Sequence, residues 1–91
     1  MFIVVSYDIS NDRTRTKVSN TLLNYGKRIQ YSVFEMDVKK EEAEMLEKEI
    51  KDLINIKEDS VRMYRLCRKC KDKVKIFGDG VLTKNEDLFI I

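Results

Sequence analysis

A single carboxylate ends the first apolar run of this 91-residue chain. The run FIVVSYDIS covers residues 2–10, and Asp8 follows four consecutive apolar residues, a serine and a tyrosine. A lone acid at the end of a buried strand has two ordinary roles. It can accept hydrogen bonds in the following turn, where the residues DISND offer several acceptors, or it can share a cation with a second acid. The sequence at this position leaves both roles open.

Cys67 and Cys70 form a CxxC pair, the second motif that could do chemistry. One such pair is half of a zinc ribbon, and the chain has no second half, although two copies would together supply four sulfur ligands. A redox-active CxxC is typical of a helix N-terminus, whereas this pair follows a predicted strand. We therefore expect two ordinary thiols in a turn.

The chain contains no histidine. This absence excludes histidine-based acid–base catalysis, histidine-activated nucleophiles and histidine metal ligands. Three further acids lie near predicted strand ends, and we expect them at the surface: Glu35, Asp37 and Asp59. Hydrolysis by this chain would therefore depend on few carboxylates, without an evident general base.

Charge is segregated along the chain. Residues 11–34 carry five basic residues and one acid, residues 35–59 carry ten acids and five basic residues, and residues 60–75 carry seven basic residues and one acid. This pattern indicates one face for a polyanion and another face turned away from it, although the charges could also only solvate helices and strand edges. The candidate phosphate-binding residues are Arg13, Arg15, Lys17, Arg28, Arg62 and Arg65.

Hydrophobic periodicity predicts the elements that position these side chains. Residues 2–7 indicate a central strand, because the apolar run has no polar alternation. A helix is expected over residues 12–25, with Ser10 or Asn11 as its N-cap and Gly26 at its C′ position. Residues 2–25 thus predict a strand followed by a helix.

The middle of the chain predicts a strand pair, a helix and a further strand. The apolar phase shifts within residues 28–38, which favours two short strands or one strand with a bulge near Ser32. Residues 41–54 carry a helical apolar stripe, and residues 60–66 are typical of a strand. The aromatic side chains at these spacings are expected mostly in the core: Tyr7, Tyr31 and Phe34.

The order β-α-β-β-α-β predicts an α+β, ferredoxin-like domain: an antiparallel sheet with two helices on one face. Residues 73–77 and 88–91 predict extra C-terminal strands, and GDG at 78–80 predicts a turn. We interpret residues 1–91 as one domain whose C-terminal extension, residues 67–91, packs on a partner subunit. A small domain with unpaired apolar strands is typical of a homodimer.

No apolar run approaches the roughly 20 residues that span a bilayer, and no signal peptide precedes the first strand. We therefore expect a cytoplasmic protein without a membrane partner.

Several segments together resemble one family. YDIS ends the first strand, GKRIQYSVFE follows the first helix, and EDSVRMY contains the fourth strand. With the basic residues that open the first helix, these segments are similar to CRISPR-associated protein two, a small protein of spacer acquisition. The likeness runs from Phe2 to about Tyr64 and continues more loosely to the closing EDLFII.

The resemblance implies a ferredoxin-like homodimer with Asp8 of each copy near the dimer axis. It implies a magnesium-dependent endonuclease that acts on single-stranded RNA or duplex DNA, with Asp8 as catalytic residue and metal ligand. It also implies a partner, the CRISPR integrase (CRISPR-associated protein one), and bound duplex DNA or RNA. Tyr7, Ser32 and Phe34 match the family's supporting positions. One departure is Thr14, which separates Arg13 from Arg15 where family members often have adjacent arginines.

Two Asp8 carboxylates across such an axis would complete a site that one chain lacks. Two bare carboxylates about 5 Å apart repel by about 3 kcal/mol at an effective dielectric near 20. They would titrate as a coupled pair, and Mg²⁺ or another divalent cation would remove the repulsion. This arrangement allows phosphodiester hydrolysis without histidine.

Three other functions stay open at the level of the sequence. The first is a non-catalytic structural adaptor that bridges integrase dimers, with Asp8 capping a turn. The others are a small-ligand regulatory domain of ferredoxin-like shape and a toxin-like ribonuclease without a role in integration. Cleavage that is lost in Asp8→Asn would favour the enzyme over the adaptor. Salt-insensitive behaviour towards DNA would favour the regulatory domain, and cleavage confined to RNA would favour the toxin.

Overall fold

The computed structural model describes residues 1–78 of the chain. Six elements follow the predicted order and a short helix comes after them. The elements are β1 (Phe2–Asp8), α1 (Asp12–Leu23), β2 (Lys27–Gln30), β3 (Val33–Asp37), α2 (Lys40–Leu53), β4 (Ser60–Leu66) and α3 (Arg68–Lys71). In this part of the chain, no helix is long and apolar enough to cross a membrane.

The four strands form one antiparallel sheet in the order β2-β3-β1-β4. β1 lies at its centre, as the unbroken apolar run predicts, and pairs with β3 on one side and β4 on the other. This order and the β-α-β-β-α-β sequence confirm the ferredoxin-like, α+β prediction.

The two long helices cover one face of the sheet. α1 begins where the side chain of Asn11 accepts a hydrogen bond from the Thr14 N–H at 2.9 Å, which confirms the predicted N-cap. α2 buries a stripe of three residues against the sheet: Ala43, Leu46 and Ile50. These side chains share one core with inward-facing residues of the central strands: Ile3, Val5, Tyr7, Phe34 and Met36.

The sheet therefore has a covered face, towards the helices, and an open face on the other side. Side chains alternate along a strand, so the residues between the core positions of β1 lie on the open face. Paired residues of neighbouring strands point to the same face, and the register fixes four rows there. The rows are Phe2 with Asp37 and Leu66, Val4 with Glu35 and Tyr64, Ser6 with Val33 and Arg62, and Asp8 with Ser60.

Gly26 has a different role from the predicted one. α1 ends at an Asn24 cap in right-handed conformation, and Gly26 has no positive φ. A Cβ at Gly26 would instead overlap the Glu35 carbonyl oxygen and the side chain of Met36. Glycine is needed because the chain passes too close to β3 for a side chain.

Residues 28–38 form two strands, β2 and β3, which confirms the first of the two predicted arrangements. The register shifts between Arg28 and Gln30, so the irregularity lies at Ile29. The alternative, one strand with a bulge near Ser32, is wrong, because the turn between the two strands lies there.

The predicted strand at 73–77 does not form within the single described chain, and a strand that pairs with a partner subunit's sheet stays a prediction. Residues 74–77 have neither helical nor strand structure, and Val74, Ile76 and Phe77 are exposed. Alternating apolar residues form a strand only beside a neighbour that accepts their hydrogen bonds, and no described strand lies beside these residues. Gly78 has φ of 92°, as a glycine turn requires.

The remaining C-terminal predictions fall on undescribed positions. Residues 79 and 80 of the predicted turn and the predicted strand at 88–91 lie outside the described residues. The packing of the extension 67–91 on a partner subunit stays a prediction.

Candidate metal and nucleic-acid site

Asp8 is the last residue of β1 and is exposed on the open face, opposite Ser60. Within residues 1–78 its carboxylate makes no hydrogen bond and no ion pair. The capping role proposed as its alternative belongs to Asn11, whose side chain begins α1. A charged oxygen donor is thus presented to solvent at a strand end, where it is available to a cation or a partner.

The backbone around Asp8 is held by Tyr7. The Tyr7 hydroxyl donates to the Tyr31 carbonyl oxygen at 3.0 Å, and the Tyr7 N–H donates to the Ser32 carbonyl oxygen at 3.1 Å. Its buried ring lies 6.3 Å from the ring of Phe34. These contacts fix the β2–β3 turn against the end of β1 and therefore position Asp8.

The core prediction holds for two of the three aromatic residues. Tyr7 and Phe34 are buried, whereas Tyr31 is 92% exposed. The expectation for Tyr31 is wrong because the residue lies in the β2–β3 turn, where its carbonyl makes the contact and its ring faces solvent.

In the part of the chain that the structure describes, Asp8 belongs to no group of three or more acids that could hold a metal ion. Glu35, Asp37 and Asp59 are half-buried rather than exposed, so the surface expectation is only partly met. Asp37 lies 3.4 Å from the N-terminal ammonium, and Asp59 accepts a hydrogen bond from the Asn55 N–H at 2.8 Å. Among residues 1–78, no group of three or more acids or cysteines could hold a metal ion.

Three of the candidate phosphate-binding residues have partners within the chain. Arg15 donates to the Ile9 carbonyl oxygen at 3.0 Å and pairs with Asp12. Arg28 donates to the Ser19 hydroxyl and lies 5.4 Å from the centroid of the Phe34 ring. Arg65 pairs with Glu47 of α2. A nucleic acid would compete with these contacts.

The other three candidates are exposed, and none forms an ion pair with a residue that the structure describes: Arg13, Lys17 and Arg62. Arg13 and Lys17 lie four residues apart on α1, so both reach the same side of the helix. Arg62 lies on the open face opposite Ser6, two residues before Asp8. The structure thus brings one candidate cation close to the candidate metal ligand.

Tyr64 is a surface feature that the sequence analysis does not single out. It lies opposite Val4 on the open face and is 48% exposed. The signal is the alternation in SVRMYRL, which places Arg62, Tyr64 and Leu66 on the opposite face from Val61 and Met63. An exposed aromatic beside Val4 adds apolar surface to the open face.

Comparison with known proteins gives one consistent family. The family model described as CRISPR associated protein Cas2 matches residues 1–74. A protein named CRISPR-associated endoribonuclease Cas2 from Chloroflexus aurantiacus is 40% identical over 93 residues, with 100% of both chains covered.

Solved structures agree with this family. The crystal structure of Streptococcus pyogenes Cas2 has a TM-score of 0.74 and 29% identity, covering 86% of this chain and 100% of that one. A chain of a partial Cas6-RT-Cas1–Cas2 complex has a TM-score of 0.71 and 32% identity, covering 82% and 88% of the two chains.

Proposed function

Since this chain belongs to the Cas2 family of CRISPR-associated proteins, we propose that it is a homodimeric, metal-dependent endonuclease of CRISPR adaptation. It binds duplex nucleic acid and takes part in spacer integration with the CRISPR integrase. The observation that carries the catalytic part is the Asp8 carboxylate, which is exposed at the end of β1 and has no partner in the described chain. Relatives named as endoribonucleases support the activity.

The homodimer follows from what a single chain lacks. One described chain offers Asp8 but no cluster of three metal-ligating side chains. Its open face carries Val4, Val33 and the exposed Tyr64, which a second sheet would cover. A two-fold axis near the end of β1 brings two Asp8 carboxylates together, because a symmetric interface repeats each contact.

Two Asp8 carboxylates fit a magnesium ion, which takes oxygen ligands and usually one or two carboxylates besides water and phosphate. When bound, the ion would polarise the phosphate and lower the pKa of a coordinated water. Asp8 from each copy would hold the ion, and Tyr7 keeps that strand end in place through its two hydrogen bonds. Arg62, on the same face, is placed to hold a phosphate oxygen.

Nucleic-acid binding is supported by the exposed cations of α1. Arg13 lies in its first turn, where backbone N–H groups also favour phosphate, and Lys17 lies one turn later. Phosphate can also be bound by Arg15, Arg28 and Arg65 if it displaces or shares the contacts that these residues make within the chain. Such contacts position a duplex without reading its sequence, and they make affinity fall steeply with salt.

The integrase partnership is supported by the similar chain of the Cas1–Cas2 complex. A non-catalytic adaptor remains the second candidate, and two observations favour it. Within residues 1–78, Asp8 belongs to no group of three or more metal-ligating side chains, and the whole chain has no histidine. In that case the dimer would only bridge integrase subunits, and Asp8 would have no catalytic role.

The test is cleavage of labelled single-stranded RNA and duplex DNA, in magnesium or EDTA, by proteins first shown to be dimers. Asp8→Asn should lower the cleavage rate at least ~100-fold, as EDTA should, because each removes part of the metal site. Asp52→Asn, an exposed acid of α2, is the matched control and should cleave like wild type.

The adaptor is distinguished by a parallel integration assay with the cognate integrase. The adaptor would be favoured if the Asp8→Asn variant supports normal integration and the trace cleavage by the protein is insensitive to EDTA. The same result would remove the catalytic proposal. Loss of cleavage without loss of integration would show an enzyme whose activity integration does not require.

A further inference from the structure

The two cysteines lie in a different setting from the one that the sequence predicts. β4 ends at Leu66 and Cys67 follows it. The helical turn α3 begins at Arg68, directly after Cys67, and contains Cys70. Their sulfur atoms are 3.3 Å apart and both residues are exposed. The expectation of a CxxC without a helical turn behind it is therefore wrong, and two thiols converge at the surface.

The two thiols are not equivalent. The Cys70 N–H donates to Cys67 Sγ at 3.4 Å. This backbone hydrogen bond and the bond from the Cys70 thiol lower the pKa of Cys67, while the interaction with Cys67 raises the pKa of Cys70. A thiolate is the nucleophile of thiol–disulfide exchange, so Cys67 is suited to attack and Cys70 to resolve the product.

A metal site is the competing use of these sulfurs. Tetrahedral zinc takes four ligands, and Cys67 and Cys70 supply two. No third cysteine or acid of the described chain lies with them. A disulfide needs only the two sulfurs already in contact, so the geometry of one chain favours redox chemistry.

We propose that Cys67 and Cys70 are a solvent-accessible dithiol that low-molecular-weight disulfides oxidise to an intramolecular disulfide. Cys67 Sγ attacks one sulfur of the disulfide RSSR, forming a mixed disulfide and releasing one RS⁻. Cys70 then loses its proton and attacks Cys67 Sγ, which forms the Cys67–Cys70 bond and releases the second RS⁻. The protein loses two electrons and two protons, and RSSR is reduced to two thiols.

The dithiol is remote from the proposed metal ligand. Cys67 follows one end of β4, and Asp8 pairs with Ser60 at the other end. Cys67 is seven residues from Ser60, which is about 23 Å at ~3.3 Å per strand residue. The dithiol therefore reacts independently of cleavage, and failure of either proposal leaves the other standing.

The experiment exposes the reduced full-length protein to oxidised glutathione and follows intact mass. Wild type should lose about 2 Da, the two hydrogen atoms of an intramolecular disulfide, and dithiothreitol should restore them. Cys70→Ser should stop at the mixed disulfide and gain about 305 Da of glutathione. Cys67→Ser should gain the same adduct more slowly, because the remaining thiol lacks the hydrogen bonds described above.

Three outcomes would overturn the proposal. Wild type could keep one or two glutathione adducts without forming the internal bond, or form disulfides only between chains. Alternatively, the purified protein could hold zinc in a ratio of one ion per two chains, with thiols that react only after chelation. The last result would assign the cysteines to a shared metal site.

Discussion

The two faces of the sheet differ in how their arginines are held. On the covered side, Arg28 is held by Ser19 and Phe34, and Arg65 is paired with Glu47. On the open face, Asp8 and Arg62 are exposed and form no ion pair with any residue from 1 to 78. Both faces carry arginine from the same strand, β4, so the strand's composition does not explain the difference.

The difference teaches which charges maintain the fold and which are left for other molecules. A cation beside a helix gains a partner when the helix packs, whereas a cation on an uncovered sheet keeps its hydration until something binds. Arg62 and Asp8 also belong to one surface with Val4 and Tyr64. The open face thus combines apolar area for self-association with charge for a cation and phosphate.

The largest expected effect is on the free energy of unfolding, and it distinguishes a substitution on the covered face from one on the open face. Leu46→Ala on the covered side should lower the free energy of unfolding by about 2–5 kcal/mol, because Leu46 is fully buried in the core. Val4→Ala on the open face should instead weaken self-association more than monomer stability. Urea unfolding at several protein concentrations measures both effects. A Val4→Ala variant that dimerises like wild type would show that the open face is not the interface.

The next effect concerns Gly26, whose backbone lies close to Glu35 and Met36 of β3. Gly26→Ala should lower the free energy of unfolding by roughly 1–3 kcal/mol, because the added methyl meets the Glu35 backbone and forces the β2 entry to shift. Asn20→Ala, an exposed position of α1, is the control and should change stability little. Equal stability of Gly26→Ala and wild type in urea unfolding would contradict the packing that the structure shows.

The fold was largely predictable because its signals are local. The stripe of Ala43, Leu46 and Ile50 predicts α2, and the apolar run of β1 predicts its central place. The segment 73–77, which forms no strand within the single described chain, shows what local signals leave out. Strand-forming residues become a strand only when a neighbouring backbone accepts their hydrogen bonds, and sequence periodicity does not reveal whether that neighbour exists.

The site was less predictable than the fold. The position of Asp8 at a strand end follows from the sequence, but its lack of a described partner depends on Asn11 taking the cap. The basic segments 11–34 and 60–75 show which residues are cationic, but not which of them have partners within the folded chain. Arg65 reaches Glu47 across 18 residues of sequence, a pairing that only the packing of α2 on the sheet creates. Tertiary contacts, not composition, divide the arginines into two groups.

The smallest expected effect is also the most direct comparison, because Arg62 and Arg65 lie on one strand and on opposite faces. Arg62→Gln should leave stability unchanged and reduce the slope of log affinity for duplex DNA against log salt by about 0.9 per lost phosphate contact, hence about 1.8 in a dimer. Arg65→Gln should reduce that slope less and lower the free energy of unfolding by under about 1 kcal/mol, because its exposed ion pair with Glu47 is lost.

Fluorescence anisotropy with a labelled duplex at four or more salt concentrations gives both slopes, and urea unfolding gives both stabilities. Glu47→Gln is the matched control, since it removes the same ion pair and keeps the arginine. If release from Glu47 makes Arg65 available, this variant should bind the duplex at least as well as wild type. Equal salt slopes for Arg62→Gln and Arg65→Gln would show that Glu47 does not keep Arg65 from binding phosphate. The arginines of the two faces would then differ in their effect on stability alone.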